Sequence, residues 1–175
     1  MTRPGGELAV VARVEGNAAA PLDAAAFAVV FRKYARMVHG IGLSRVTPAE
    51  ADDLVQDVFL AAMENLHALA HVDAVGGWLA QIARNRAHDV LRRRRRSPQE
   101  SDVEPSGTPC GPEDAAEARR ILGKIQALPE AYRETLVLRL VEGLTGPEIA
   151  EQVGLTPDSV RVNLHRGMKL LREAL

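Results

Sequence analysis

The stretch Thr145-Gly146-Pro147-Glu148-Ile149-Ala150-Glu151-Gln152-Val153-Gly154-Leu155-Thr156-Pro157-Asp158-Ser159-Val160-Arg161 carries two helix starts with one helix stop between them. Thr145 and Thr156 offer side-chain oxygens to the unpaired amides of a first turn, and Pro147 and Pro157 stand where a missing N–H costs nothing. Gly154 suits the left-handed residue that closes a helix. Two short helices about a tight turn form a helix-turn-helix unit, whose second helix lies in the major groove of DNA. Over 157–174, Val160, Leu164, Gly167, Met168 and Leu171 make an inward stripe. Asp158, Ser159, Arg161, Val162, His165, Arg166, Lys169 and Arg172 are left facing away or flanking it, and four of these are firmly basic. A solvated bundle helix would show the same amphipathic stripe; the tight turn and the basic face together favour DNA binding.

Working back from this unit, a helical domain is predicted over 113–175. Ala118, Ile121, Leu122, Ile125 and Leu128 share one face. Pro129 then opens a helix carrying Tyr132, Leu136, Val137, Leu140 and Val141, which Gly143 ends. Residues 97–112 hold four prolines and two glycines with no apolar period, which marks a flexible linker.

A first helical domain is predicted over 21–96. Phe27, Val30, Phe31, Tyr34, Ala35 and Val38 recur at helical spacing, with a stop near Gly40 and Gly42. Thr47-Pro48-Ala49-Glu50 reads as a capping box opening a long helix, with Ala51, Leu54, Val55, Val58, Phe59, Ala62, Met63 and Leu66 inward. A loop from about His67 to Gly77 leads into a third helix that buries Leu79, Ile82, Ala83, Ala87, Val90 and Leu91 and ends in the run Arg92 to Arg96. Residues 1–20, rich in Ala and Gly without a sustained period, read as a mobile tail.

Composition agrees with an all-α chain of two small domains. Hydrophobic residues make up 46% of the 175, yet aromatics only 3%, so the core is built from Ala, Leu, Val and Ile on helices. The net charge is -1, but it is sorted. Arg84 to Arg96 holds seven arginines and one acid, while Ser97 to Ala118 holds six acids and no base. The arginine run attracts phosphate without reading sequence. The single cysteine, Cys110, excludes an internal disulfide and fits a reducing compartment, so the expected location is the cytoplasm. The apolar stretch Leu8 to Val14 is too short and too charged for an export signal or a membrane span, so no membrane insertion is expected.

The carboxylates Asp52, Asp53 and Asp57 share a helical face with Gln56. They lack a partner at metal-ligand spacing, so they read as a solvated face or as a surface for a basic protein partner. None of the five histidines joins a catalytic arrangement, and neither an enzyme activity nor a cofactor is expected.

Two blocks of this sequence resemble the sigma-70 family of RNA polymerase sigma factors, specifically its extracytoplasmic-function (ECF) group. Ala51-Asp52-Asp53-Leu54-Val55-Gln56-Asp57-Val58-Phe59, Trp78-Leu79-Ala80-Gln81-Ile82-Ala83-Arg84-Asn85 and Asp89-Val90-Leu91-Arg92 look like region two. Leu128-Pro129-Glu130, Gly143-Leu144-Thr145-Gly146-Pro147-Glu148-Ile149-Ala150, Ser159-Val160-Arg161 and His165-Arg166 look like region four.

The resemblance implies that Asp52, Asp53, Gln56 and Asp57 dock on the clamp helices of core RNA polymerase. It implies that the 67–77 loop and the Trp78 helix, with Arg84, Asn85, Arg92 and Arg93, hold the −10 strand of promoter DNA. It further implies that Ser159, Arg161, Val162, His165, Arg166 and Lys169 read the −35 duplex, Val162 against a thymine methyl, and that the acidic linker follows the RNA path of the polymerase. The loop His71 to Gly77 lacks the aromatic frequent in the family before the tryptophan, and Asn163 replaces a frequent basic residue. An anti-sigma protein is a further implied partner. The alternative from a different class is a polymerase-independent, dimeric helix-turn-helix regulator.

Overall fold

A computed structural model describes residues 24–65, 74–96 and 112–175. Seven helices account for nearly all of them: α1 (Ala24–Leu43), α2 (Pro48–Asn65), α3 (Val75–Arg96), α4 (Pro112–Gln126), α5 (Glu130–Leu140), α6 (Gly146–Val153) and α7 (Pro157–Ala174). The described residues contain no strand, as the aromatic-poor, Ala- and Leu-rich composition predicts. The expected tail over 1–20, the linker apart from Pro112, the 67–73 part of the loop, Leu66 and Cys110 lie outside the described residues.

The first three helices form one layer group in which α1 packs on α2 and α3 and these two pack on each other. The capping box that opens α2 is complete: Thr47 N–H and hydroxyl both reach Glu50 Oε2, at 2.9 and 2.8 Å, and Glu50 N–H donates back to Thr47 Oγ1. The helix α1 ends at Leu43, near the expected stop, but it runs through both Gly40 and Gly42. These glycines serve close approach instead. A Cβ on Gly40 would meet Leu138 Cδ2 at 2.7 Å, and one on Gly42 would lie 3.1 Å from the Cβ of Ala51. Met63 is also corrected: it is 55% exposed at the end of α2, where the packed stripe finishes at Ala62.

The start of α3 falls at Val75, earlier than the expected loop end at Gly77. Gly76 is buried there, and a Cβ on it would stand 2.5 Å from the Gln152 carbonyl oxygen, so the first turn of α3 is pressed against α6. Small residues at Ala80, Ala83 and Ala87 let α3 approach its neighbours closely; all three are fully buried.

In the second half, α5 is the central element. Glu134, Thr135, Leu136, Val137 and Leu138 are buried in succession, a pattern that a helix shows only when it is covered on most sides. Its contacts explain this: α4, α6 and α7 pack on it, and so does α1. The expected inward Leu140 and Val141 are therefore corrected, since both are about half exposed while Leu138 points into the core. Ala118 on α4 is likewise exposed. The two halves share one continuous core, with α1 packed on α5 and α6, and α3 packed on α6.

Candidate nucleic-acid and partner interfaces

The helix-turn-helix unit is built by local chemistry. Thr145 Oγ1 accepts from Glu148 N–H while Glu148 Oε2 accepts from Thr145 N–H at 2.7 Å, which fixes the start of α6 and holds the Glu148 carboxyl below its usual range. Gly154, at φ 73°, closes α6 in the left-handed region that a glycine enters without strain. Thr156 then accepts from Ser159 N–H and its hydroxyl lies 2.8 Å from the Ser159 hydroxyl. Val160, Gly167 and Leu171 anchor α7; a Cβ on Gly167 would lie 3.1 Å from Leu136, so the two helices nearly touch there.

Anchored in this way, α7 presents Ser159, Arg161, Val162, His165, Arg166 and Lys169 to solvent, all exposed. Arg161 is loosely tied to Asp158 at 3.1 Å, an exposed pair that a phosphate displaces at small cost. Ser159 is the member whose hydroxyl already has a role, at the helix start.

On α2, Asp52, Asp53, Gln56 and Asp57 are exposed together, and Leu60, 61% exposed, continues the same face one turn on. A cleft between α2 and α3 is lined by Glu50, Asp53 and Asp57 on one side and Arg86, Asp89 and Arg93 on the other. The acidic face thus borders the arginine-rich end of α3.

Along α3 the sequence-derived residues differ in availability. Trp78 is half-buried against the core; Asn85 is exposed and accepts from Gln81 at 3.0 Å. Arg92 is exposed, 2.8 Å from Asp89, and Arg93 is exposed. Arg84 is different. Its guanidinium donates to both carboxylate oxygens of Glu134 on α5, at 2.6 and 3.1 Å.

Glu134 is the centre of a cluster that sequence reasoning missed. Arg45, whose side chain is wholly buried, donates to Glu134 Oε2 at 2.7 Å, to Glu130, to the Ser44 hydroxyl and to the Ile41 carbonyl. Burial pushes the Glu134 carboxyl up, but the Arg84 hydrogen bonds and the charges of Arg45 and Arg84 outweigh it and leave the group below its usual range. Nearby, His39 Nδ1 lies 2.7 Å from Glu142 Oε1 and its Nε2 lies 3.4 Å from Asp52. The available signal was weak: Arg45 is a lone charge inside the apolar run Ile41 to Val46.

A model of sigma-70 region 2 matches residues 30–97, and one of sigma-70 region 4 matches residues 118–171. The RNA polymerase sigma factor CarQ of Myxococcus xanthus is 34% identical over 156 residues, which span 86% of this chain and 89% of CarQ. This chain belongs to the sigma-70 family of RNA polymerase sigma factors. Its place in the ECF group follows from relatives such as the ECF sigma factor ShbA of Streptomyces griseus, 34% identical over 138 residues and 69% of each chain. The ECF sigma factor SigW of Bacillus subtilis is 29% identical over 142 residues, 72% of this chain and 75% of SigW.

Two solved structures share the sigma factor's fold. CnrH, solved in complex with the cytosolic domain of CnrY, superposes with a TM-score of 0.60 over 96% of this chain and 95% of that one, at 21% identity. The Bartonella quintana sigma factor RpoE, solved with the anti-sigma factor NepR, gives 0.54 over 83% and 92%, at 22% identity. A sigma factor works with RNA polymerase in promoter-specific initiation, and the two-region match in one chain leaves the polymerase-independent dimeric regulator without support. No described helix is long and apolar enough to cross a membrane.

Proposed function

We propose that this sigma factor docks on core RNA polymerase through Asp52, Asp53, Gln56 and Asp57, reads the −35 duplex with α7 and holds the melted −10 strand on α3. The observation that carries the reading is α7: a helix fixed at its start by Thr156, anchored by Val160, Gly167 and Leu171, and exposing Arg161, Val162, His165, Arg166 and Lys169 as one face. Such a face supplies both halves of recognition, phosphate attraction from the cations and base-edge contact from Val162, His165 and Arg166.

On α3, Asn85, Arg92 and Arg93 supply polar and cationic groups for an unpaired strand, and Trp78 braces the helix. The functional units are residues 21–96 and 113–175, with 97–112 as the connection. The polymerase performs the chemistry, so the chain itself acts without a catalytic site or cofactor, in the cytoplasm. Among the described residues no group of three His, Cys, Asp or Glu side chains is arranged to hold a metal. A cognate anti-sigma protein is a further partner, in keeping with the complexes in which CnrH and RpoE were solved.

The test is core binding by charge reversal. Asp53→Lys with Asp57→Lys changes two exposed side chains outside the core, so folding is retained while affinity for core polymerase falls at least tenfold, as expected for an electrostatically complementary docking face. Undiminished core binding by this variant refutes the assignment of the α2 face.

A further inference from the structure

The side chains on the exposed face of α7 are not equally free. The Ser159 hydroxyl lies 2.8 Å from that of Thr156, and Arg161 donates to Asp158 at 3.1 Å. Val162 is 38% exposed and offers only methyl groups. Arg166, Lys169 and Arg172 are exposed cations, types whose charge is ordinarily constant near neutral pH. His165 is the exception. It is exposed, and its ring has no hydrogen-bond or ion-pair partner among the described residues. Imidazole is the side chain that ordinarily changes charge between about pH 5 and pH 8.

The neighbours of His165 are cations. On α7, Arg161 stands one turn before it, Lys169 one turn after it and Arg172 two turns after it, with Arg166 adjacent in sequence. Asp158, two turns before it, pairs with Arg161, and Glu173 lies more than two turns after it. The helices packed on α7 bring no acid to it. Glu130 and Glu134 of α5 pair with Arg45, Glu151 of α6 with Lys33, and Glu117 of α4 with Arg120. Glu148 of α6 completes its capping box with Thr145, and Asp114 in the first turn of α4 has no ion-pair contact with His165. The cations of these helices face main chain: Arg133 and Arg139 donate to the Gln126 and Leu144 carbonyls, and Arg119 to the Ala115 carbonyl. Lys124 of α4 is half-buried.

DNA reverses the sign of these surroundings. Phosphates neutralise cations such as Arg161 and Lys169 and release their counterions, and the groove presents acceptors at guanine N7 and O6 and at adenine N7. We infer that His165 is a proton-linked contact of the −35 interface: as α7 enters the groove, the imidazole takes up a proton from solvent and donates a hydrogen bond to an acceptor on the DNA. The proton binds the lone pair of the ring nitrogen that was an acceptor, so a ring with one N–H donor becomes one with two. Because the complex holds one more proton than its separated parts, promoter affinity rises as pH falls. The inference rests on the assignment of α7 to the −35 duplex.

The test is binding of the holoenzyme to a promoter duplex between about pH 6 and about pH 8, with the wild-type chain, His165→Gln and His165→Arg. Position 165 is exposed, so both variants retain the fold, which thermal unfolding checks. Wild-type affinity is expected to rise roughly threefold to tenfold toward the acid end, relative to His165→Gln at the same pH. His165→Arg carries its charge throughout and is expected to bind as tightly at the alkaline end as at the acid end, on the same scale. Other titrating groups, His39 among them, respond equally in all three chains and cancel.

Salt dependence separates the two sources of the acceptor. A phosphate steepens the wild-type slope of log affinity against log salt by about 0.9 at the acid end. A base edge leaves that slope unchanged and instead makes the choice between guanine and adenine at one pair depend on pH. Arg166→Ala tests the underlying reading: if it binds the promoter as tightly as wild type at every pH, the assignment of α7 fails and the inference with it. If Arg166→Ala is impaired while wild type and His165→Gln share one pH response, the inference alone is overturned.

Discussion

His39 Nδ1 lies 2.7 Å from Glu142 Oε1, joining α1 to the second residue after α5. The Glu142 hydrogen bond outweighs the opposing effect of burial and, helped by the charges of Glu142 and Asp52, raises the His39 pKa above its ordinary 6.5. A raised histidine contributes stability that is complete below about pH 6.5 and is lost as pH rises through the higher folded-state value. Glu130 and Glu134 work in the other direction. Hydrogen bonding to Arg45 lowers Glu130; at Glu134 burial acts upward but is outweighed by Arg84 and Arg45. Their contribution is present above the ordinary 4.5 and is lost as pH falls through the lowered values.

The closed chain is therefore most stable between these limits and loosens on the alkaline side through His39. Thermal unfolding of the wild type is expected to move to lower temperature as pH rises and His39 deprotonates. His39→Gln removes that alkaline slope. An identical slope in the variant assigns the effect to another group.

Gly76 and Gly77 are adjacent yet predict opposite outcomes. Gly76→Ala forces a Cβ to within 2.5 Å of the Gln152 carbonyl, so α3 and α6 must separate at a cost of about 1–3 kcal/mol. Gly77→Ala meets nothing within 4 Å and restricts the unfolded chain, so it is neutral or stabilising by up to about 1 kcal/mol. Denaturant unfolding of both variants checks the pair; equal effects contradict the close approach of α3 to α6.

Within α5, Leu136 and Leu140 lie one turn of helix apart but differ in fate. Leu136 is fully buried and packs against Gly167, whereas Leu140 is 47% exposed. Leu136→Ala is expected to cost about 2–5 kcal/mol. Leu140→Ala stays within about 0.5 kcal/mol, the ordinary range for a surface change. A large loss at Leu140 would restore the register read from periodicity alone.

That contrast shows what the sequence made legible. Helix starts at Thr47, Thr145 and Thr156 and the stop at Gly154 were readable because capping is complete within four residues. The outward face of α7 and the acidic face of α2 were readable for a different reason: a helix covered on one side leaves its other side to solvent. The burial of Leu138 in place of Leu140 was not, since α5 is covered by α1 as well as by its own region and a single stripe no longer describes it. The Arg45–Glu134 pair, 89 residues apart, leaves no local pattern at all. The capture of Arg84 follows from it, so a residue read as a free DNA contact stands paired in the closed chain.

On α7, Arg166 and Ser159 separate base reading from helix capping. Arg166 is exposed and has no acidic partner within ion-pair distance among the described residues, so Arg166→Ala leaves unfolding unchanged and weakens promoter binding by about 1–3 kcal/mol, with relaxed choice at one base. Ser159→Ala loses the hydroxyl contact to Thr156 yet keeps its backbone amide, and its loss of promoter binding is smaller than that of Arg166→Ala. Binding of the holoenzyme to promoter variants, measured at two salt concentrations, distinguishes these effects.

Run-off transcription shows whether this chain confers promoter-specific initiation on core RNA polymerase. Core polymerase with the wild-type chain is expected to give discrete transcripts from cognate promoters that core alone does not produce, and the Asp53→Lys, Asp57→Lys variant is expected to abolish them. Stable binding to core without specific initiation at any promoter of the source genome would mean that the chain does not direct initiation.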